Sequence, residues 1–383
     1  MSLSLRQRQL DRSHDRTRPG AGGDFVGEEG ALGTNPFLHV EGDRVFNPLT
    51  DDSLTRTDPA SGPLRGLLEG ATAPADLEPE LRARLAREGW LVPADEDVAR
   101  RFYLKYVSLE AHTLCNQGCY FCPVAYDPRE AYFMPTERYQ EIVGQLAAHR
   151  ETIEAVFMIN YNEPTADKRF VDQVRTLKQA GLPPATLTNG TGLTPKRVDA
   201  LVEMGGLRFL SINLSTLDAG RYAADRKGDH LELVLKNLDY AKDRAVAEEM
   251  DIVVLGRGDE VHRRDFEEIR LRFAGSRFNV KLFEVMDRAG YLQIGLAARN
   301  KTLCGCDNVG SRPLQHLHIN PYGKCLLCCE DYDGNYVVGD LEEETLDEVL
   351  TGPRLALMRR WVYGLEESPA DFICRSCVFA RTR

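Results

Sequence analysis

Ten cysteines fall into two tight groups, and no other feature restricts the fold of this chain as strongly. Three lie within Cys115–Cys122 and seven within Cys304–Cys377, with none between. Several are separated by only two or three residues. Such spacing brings ligands to one metal centre, whereas the disulfides of a secreted domain close longer loops. The pattern predicts a reduced, cytoplasmic, metal-binding protein. No apolar run reaches the roughly 18 residues of a membrane span, and the opening MSLSLRQRQLDRSHDRTRPGAGG lacks the apolar segment of a secretory signal. A net charge of −11 argues against nucleic acid as the partner. With 43% hydrophobic and 28% charged residues, the 383-residue chain can bury the cores of several domains.

Residues 1–23 are polar, rich in Arg and Gly, and aperiodic, which predicts a disordered tail. Residues 24–100 are expected to form a small α+β domain. Within it, Phe37–Val40 and Arg44–Phe46 flank Glu41-Gly42-Asp43 as a hairpin. Leu64, Leu67 and Leu68, then Leu77, Leu81, Leu85 and Trp90, mark two amphipathic segments, and Pro93 ends the unit.

Residues 101–295 alternate between short buried strands (Lys105–Ala111, Glu154–Asn160, Ala185–Asn189, Leu207–Leu214, Asp251–Gly256, Phe278–Glu284) and helical patterns (Pro135–Ala148, Ala166–Ala180, Thr194–Met204, His230–Glu248, Arg264–Phe273). Six strands joined by helices imply a parallel sheet, and so an α/β fold with a partial six-stranded barrel. Its chemistry is expected in the loops at the C-terminal ends of the strands. Residues 296–383 break the alternation. A hairpin over Gln315–Leu327 turns at Asn320-Pro321-Tyr322-Gly323, and a helix pair follows between Glu342 and Tyr363.

Cys115, Cys119 and Cys122 form a CxxxCxxC loop directly after the first barrel strand. Three soft thiolates can hold three irons of a [4Fe–4S] cluster and leave the fourth open to a chelating amine and carboxylate. Here the chain resembles the radical S-adenosylmethionine (SAM) superfamily over roughly residues 104–290. Phe121 matches the family's aromatic position near adenine. Asn160-Tyr161-Asn162-Glu163-Pro164 stands where relatives carry Gly-Gly-Glu-Pro, which holds the SAM amino group; both glycines are replaced. Thr188-Asn189-Gly190 closes the third strand as in relatives. Ser211 and Asn213 on the fourth strand resemble the ribose- and carboxylate-contacting groups, Arg226 the carboxylate-binding Arg, and Val254 and Leu255 on the fifth strand are candidates to flank adenine. The resemblance implies SAM-binding roles for Phe121, Asn162, Glu163, Asn189, Ser211, Asn213 and Arg226.

In the second group, Gly323-x4-Cys328 followed by Cys374-x2-Cys377 resembles the SPASM/twitch extension, which binds auxiliary [4Fe–4S] clusters. Asp287-Arg288-Ala289-Gly290, Cys328-Cys329-Glu330-Asp331-Tyr332 and Val338-Gly339-Asp340-Leu341 add to the likeness. The short C-terminal cysteine series favours the twitch form with one auxiliary cluster, held by Cys306, Cys328, Cys374 and Cys377. Cys304 is an alternative to Cys306, and Cys325 or Cys329 to Cys328. A structural zinc ribbon of Cys325, Cys328, Cys374 and Cys377 is the competing arrangement. Cys304, Cys325 and Cys329 are left as candidate hydrogen-atom donors or as buried spectators.

The resemblance implies reductive cleavage of SAM to a 5′-deoxyadenosyl radical, fed by a flavodoxin- or ferredoxin-type reductant. The radical then removes a hydrogen atom from the substrate, and the auxiliary cluster accepts an electron. The N-terminal domain resembles the winged-helix-like, leader-binding (PqqD-like) units of peptide-modifying relatives, which implies a ribosomally made peptide or related natural product as substrate. The rival is a twitch-type dehydrogenase or epimerase acting on a sugar or aminocyclitol. A non-catalytic iron–sulfur or zinc scaffold is a third reading. Glu284, Asp287, His316 and His318 are candidate general bases.

Overall fold

The computed structural model describes residues 31–300, 302–308 and 311–382; the expected tail over 1–23 lies outside them. The N-terminal unit opens with β1 (Leu32–Thr34), β2 (His39–Glu41), β3 (Arg44–Asn47) and β4 (Asp52–Thr55), followed by helices α1 (Ser61–Leu68) and α2 (Pro79–Arg87) and by β5 (Leu91–Pro93). Strands β2, β3 and β4 form an antiparallel sheet that turns at Gly42. The apolar positions of α1 and α2 close over it: Val45, Leu54, Leu64, Leu67, Leu85 and Trp90 make one buried cluster. Pro93 is not merely a terminator. It belongs to β5, which pairs with β1 through Leu32.

This unit docks on the C-terminal part of the chain. The Phe37 and Tyr363 rings sit 4.4 Å apart, and Gln315 Nε2 donates to the Pro48 carbonyl at 2.9 Å. His39 lies at the same seam, near Arg381 and Asp307. Burial, reinforced by the Arg381 guanidinium, pulls its imidazole down to about 4. An unfolded His titrates near 6.5, so between these values the unfolded chain binds the extra proton. His39 therefore contributes stability that is complete above pH 6.5 and is lost as the pH falls toward 4, about 2 kcal/mol by pH 5. Urea midpoints at pH 7 and 5 should diverge in the wild type and diverge less in His39→Gln; equal pH dependence in the two proteins would contradict this.

The barrel strands follow as β6 (Tyr106–Leu109), β7 (Ala155–Phe157), β8 (Pro184–Thr188), β9 (Leu207–Asn213), β10 (Ala247–Gly256) and β11 (Phe278–Glu284), all parallel and neighbours in chain order. Between them run α3 (Thr136–Ala147), α4 (Phe170–Gln179), α5 (Pro195–Glu203), α6 (Ala219–Arg226), α7 (Leu231–Ala241) and α8 (Glu260–Arg272). In α3 the buried residues Tyr139, Ile142, Val143 and Leu146 follow the helical repeat. With their counterparts they cover one face of the sheet, where Val107, Val156, Leu210, Ile252 and Val254 are fully buried. The other face carries Ser108, Phe157, Phe209, Ser211 and Asn213.

Three expectations move. Helix α7 stops at Ala241, and β10 begins at Ala247, inside the span expected to be helical. Ala247 and Glu248 look helical in sequence, yet they sit on a strand that pairs with β9. Helix α8 starts at Glu260, because the Asp259 carboxylate accepts from the His262 amide and caps it. Helix α6, absent from the expected elements, is started by the same device at Asp218.

After β12 (Leu303–Cys306) and the short α9 (Arg312–Gln315), the chain enters β13 (His316–Ile319), which pairs in parallel with β6 and extends the barrel sheet. Then β14 (Lys324–Leu326) and β15 (Val337–Asp340) add antiparallel strands. The β13–β14 turn forms because Asn320 Oδ1 accepts from the Tyr322 and Lys324 amides while Gly323 takes φ +82°. Helices α10 (Leu346–Leu350) and α11 (Pro353–Val362) precede β16 (Ala380–Thr382), which pairs with β12. No helix among the described residues is long and apolar enough to cross a membrane.

Candidate functional site

The CxxxCxxC loop leaves the C-terminal end of β6 and is strapped to the end of α6. A helix leaves its last carbonyls unsatisfied. Here those of Asp225 and Arg226 accept the amides of Tyr120 and Gly118 at 3.1 and 2.9 Å. The three thiols are largely withdrawn from water, and burial raises all of them, Cys115 to about 12.

Arg226 lies beneath this loop and is 2% exposed. Its guanidinium donates to the Asn213 carbonyl (3.2 Å), Asn213 Oδ1 (2.7 Å) and Ser215 Oγ (3.0 Å), and approaches Cys119 Sγ at 3.6 Å. It also stacks 5.1 Å over the Phe121 ring. None of these partners is a carboxylate. A buried cation with neutral partners is costly unless an anion completes it. Deprotonated thiols carrying an iron–sulfur cluster, or a bound carboxylate, supply that charge, so the residues present fit both groups.

The opposite electrostatic case stands across the loop. Glu163 is 2% exposed and, among the described residues, accepts from neutral donors: the Thr165 amide and hydroxyl, the Thr188 hydroxyl (2.7 Å) and the Asn189 amide (2.7 Å). Burial raises its carboxyl. A ligand ammonium would complete this buried anion. The Glu163 amide donates to the Leu114 carbonyl beside Cys115, which ties the segment to the cysteine loop. Asn189 Nδ2 reaches Asn116 Oδ1 at 2.8 Å within the same loop. The Asn162 carboxamide is held by its own turn and by His112, so that segment offers a ligand its backbone.

Ser211 and Asn213 share the inner face of β9. Val254 and Leu255 face opposite sides of β10. Val254 is fully buried against the helices, and only Leu255 packs with Phe121 and Cys119. Strand alternation requires this split.

In the C-terminal part, Cys306, Cys328, Cys374 and Cys377 line one cavity with Asn308, Arg312, Leu327 and Phe379. Burial raises the Cys306, Cys374 and Cys377 thiols. Among the described residues no three His, Cys, Asp or Glu side chains converge closely enough for a single metal ion. Four cysteines around one cavity are a donor set of the kind that holds an iron–sulfur cluster or a single zinc. Cys325 is not among them: it is fully buried in β14 within the main core. It does not line the cavity that Cys328 lines. Cys304 occupies the bulge between Leu303 and Gly305 and is not among the residues that line the cavity. Cys329 sits beside Cys328, with its thiol 3.8 Å from Glu330 Oε1. Among the candidate bases, Glu284 is exposed on the edge strand, whereas Asp287, His316 and His318 are buried.

Residues 110–270 match the Radical SAM superfamily, and residues 306–378 match SPASM, an iron–sulfur cluster-binding domain. The tungsten-containing aldehyde ferredoxin oxidoreductase cofactor-modifying protein of Pyrococcus furiosus is 30% identical over 102 residues; the match spans 27% of this chain and 28% of that relative. Among solved structures, SuiB of Streptococcus suis bound to precursor peptide SuiA aligns with TM-score 0.55 and 13% identity, over 86% of this chain and 90% of that one. The protein anSMEcpe with bound AdoMet aligns with TM-score 0.50 and 13% identity, over 68% of this chain and 80% of that one. Both structural likenesses are likenesses of fold.

Proposed function

Because the chain belongs to the radical SAM superfamily and carries an iron–sulfur cluster-binding domain after its barrel, we propose that it is a cytoplasmic enzyme that modifies a ribosomally made peptide. The cofactors of such an enzyme are SAM, the [4Fe–4S] cluster that binds it and auxiliary iron–sulfur chemistry. When bound, they supply a one-electron cleavage that produces a carbon radical able to take hydrogen from an unactivated C–H bond.

The observation that carries this reading is the pairing of opposite buried charges around one three-cysteine loop. Cys115, Cys119 and Cys122 would anchor the first cluster. Glu163 and the neighbouring backbone would take the amino group of SAM, and Arg226, fixed through Asn213 and Ser215, its carboxylate. Phe121 and Leu255 provide the apolar wall for adenine, with Ser211 and Asn189 as polar contacts. Cys306, Cys328, Cys374 and Cys377 would hold one auxiliary cluster. Four thiolates leave that cluster no open iron, which suits electron relay better than substrate ligation. Cys325, sealed in the core, is poorly placed to donate a hydrogen atom. Cys329, between the two centres, is the better placed of the spare thiols.

A peptide substrate is supported by the extent of the likeness to SuiB. Its span exceeds residues 101–383 and so takes in part of the N-terminal unit as well as the barrel. The short sheet of that unit leaves β2 and β4 as edge strands, and an extended peptide can add to such an edge through backbone hydrogen bonds. The test is anaerobic incubation of the reconstituted protein with SAM, dithionite and a short peptide encoded beside its gene. A mass change in the peptide is expected. Inertness toward the peptide, with oxidation or inversion of a sugar or aminocyclitol, would contradict the assignment.

A further inference from the structure

Two tyrosines join the cysteine centres in a reciprocal way. Tyr161, in the loop after β7, donates its hydroxyl to the carbonyl of Cys329 in the auxiliary segment. Tyr332, in the auxiliary segment, donates its hydroxyl to the carbonyl of Asp127 in the loop that carries Cys115, Cys119 and Cys122. Their rings meet edge to face, 4.8 Å between centroids at 84°. The Arg129 guanidinium lies 6.0 Å from the Tyr161 ring and 5.6 Å from the Tyr332 ring. Arg129 also grips Glu110 with two hydrogen bonds of 2.9 and 2.6 Å. Glu110, fully buried at the end of β6, accepts the Tyr161 amide at 2.9 Å as well.

We propose that Tyr161 and Tyr332 are positioning residues that form a brace between the two centres, so that SAM binding in the barrel tightens the auxiliary segment around Cys328. The inference rests on the reading of Asn160–Pro164 as the segment that meets SAM. Tyr161 is one residue from Asn162 and two from Glu163, and its amide is fixed on a buried carboxylate. Ordering that segment therefore fixes the direction of the Tyr161 hydroxyl toward Cys329. Packing alone would need the two rings. Each hydroxyl in addition reaches a backbone carbonyl belonging to the other centre, which is what a link between segments requires. Linkage then works in both directions: what orders one side favours order on the other.

The test is hydrogen–deuterium exchange on the anaerobically reconstituted protein, with and without SAM, read over residues 326–336. SAM should slow exchange of this segment in the wild type by about tenfold, within the usual range for coupled sites. Tyr161→Phe and Tyr332→Phe keep the rings and should each lose most of that SAM-dependent slowing. Tyr291→Phe, whose ring packs 5.3 Å from Tyr332, should retain it. SAM binding is followed independently by calorimetry, and folding by the thermal midpoint. If SAM binds but leaves the segment unprotected in the wild type, or protects it equally in both Phe variants, the brace is refuted while the site reading stands. If the reconstituted wild type fails to bind SAM, the site reading fails and the inference with it.

Discussion

Cys119→Ala is expected to reduce 5′-deoxyadenosine formation by more than about 100-fold, because even an outer partner of a metal ligand is typically worth 10–100-fold and this change removes a ligand itself. Cys119 is the most buried of the three loop thiols by residue exposure, at 9%, and its sulfur faces both Arg226 and Gln117 at 3.6 Å. Alanine takes away an iron anchor and also the anion nearest a buried guanidinium. The iron content should fall from about eight to about four per chain, the signature of losing one of two four-iron clusters. Anaerobic reconstitution, iron assay and nucleoside quantification measure both effects. Nucleoside release at the wild-type rate would exclude the CxxxCxxC loop as the SAM-binding centre.

Cys374→Ala should also remove about four irons per chain, yet it should spare SAM cleavage and abolish the modified product. Cys374 sits in a tight turn over Ile373–Ser376, next to the cavity it shares with Cys306, Cys328 and Cys377. Asn300 Nδ2 fixes the turn from outside through the Cys374 and Cys377 carbonyls at 3.0 and 2.8 Å. Cys325→Ser gives the contrast. It should leave the iron unchanged and cost about 1–3 kcal/mol of stability, the penalty for a polar group placed in an apolar core. A zinc ribbon built from Cys325 and Cys328 requires the reverse: metal lost from Cys325→Ser, and zinc in place of iron in the wild type.

Much of this was legible because it depends on local spacing. Cys115, Cys119 and Cys122 share one loop, and strand–helix alternation places that loop at the end of β6. The β13–β14 turn could be read from Asn320 and Gly323 for the same reason. What escaped depends on contacts between distant segments. Helix α6 holds few buried residues, chiefly Tyr222 and Arg226, so it has no apolar stripe to announce it. The available signal was the cap at Asp218. Cys325 and Cys328 look like a ligand pair in sequence, but β14 ends at Leu326. One cysteine therefore stays in the core while the other reaches the cavity. Val254 and Leu255 are both candidates to flank adenine in sequence, but neighbours on a strand face opposite ways and Val254 lies in the main core. Tyr161 looked like a departure from a glycine motif. The structure gives its ring and hydroxyl partners in a segment some 170 residues away.

On the proposed reading, the first cysteine loop, completed by Glu163 and Arg226, holds a cluster that cleaves SAM. The most direct measurement is the anaerobic reaction of reconstituted wild-type protein with SAM and dithionite, with metals quantified on the same sample. The expected result is 5′-deoxyadenosine and methionine in equal amounts from protein with about eight irons per chain. Zinc in place of iron, with SAM recovered intact, would contradict it.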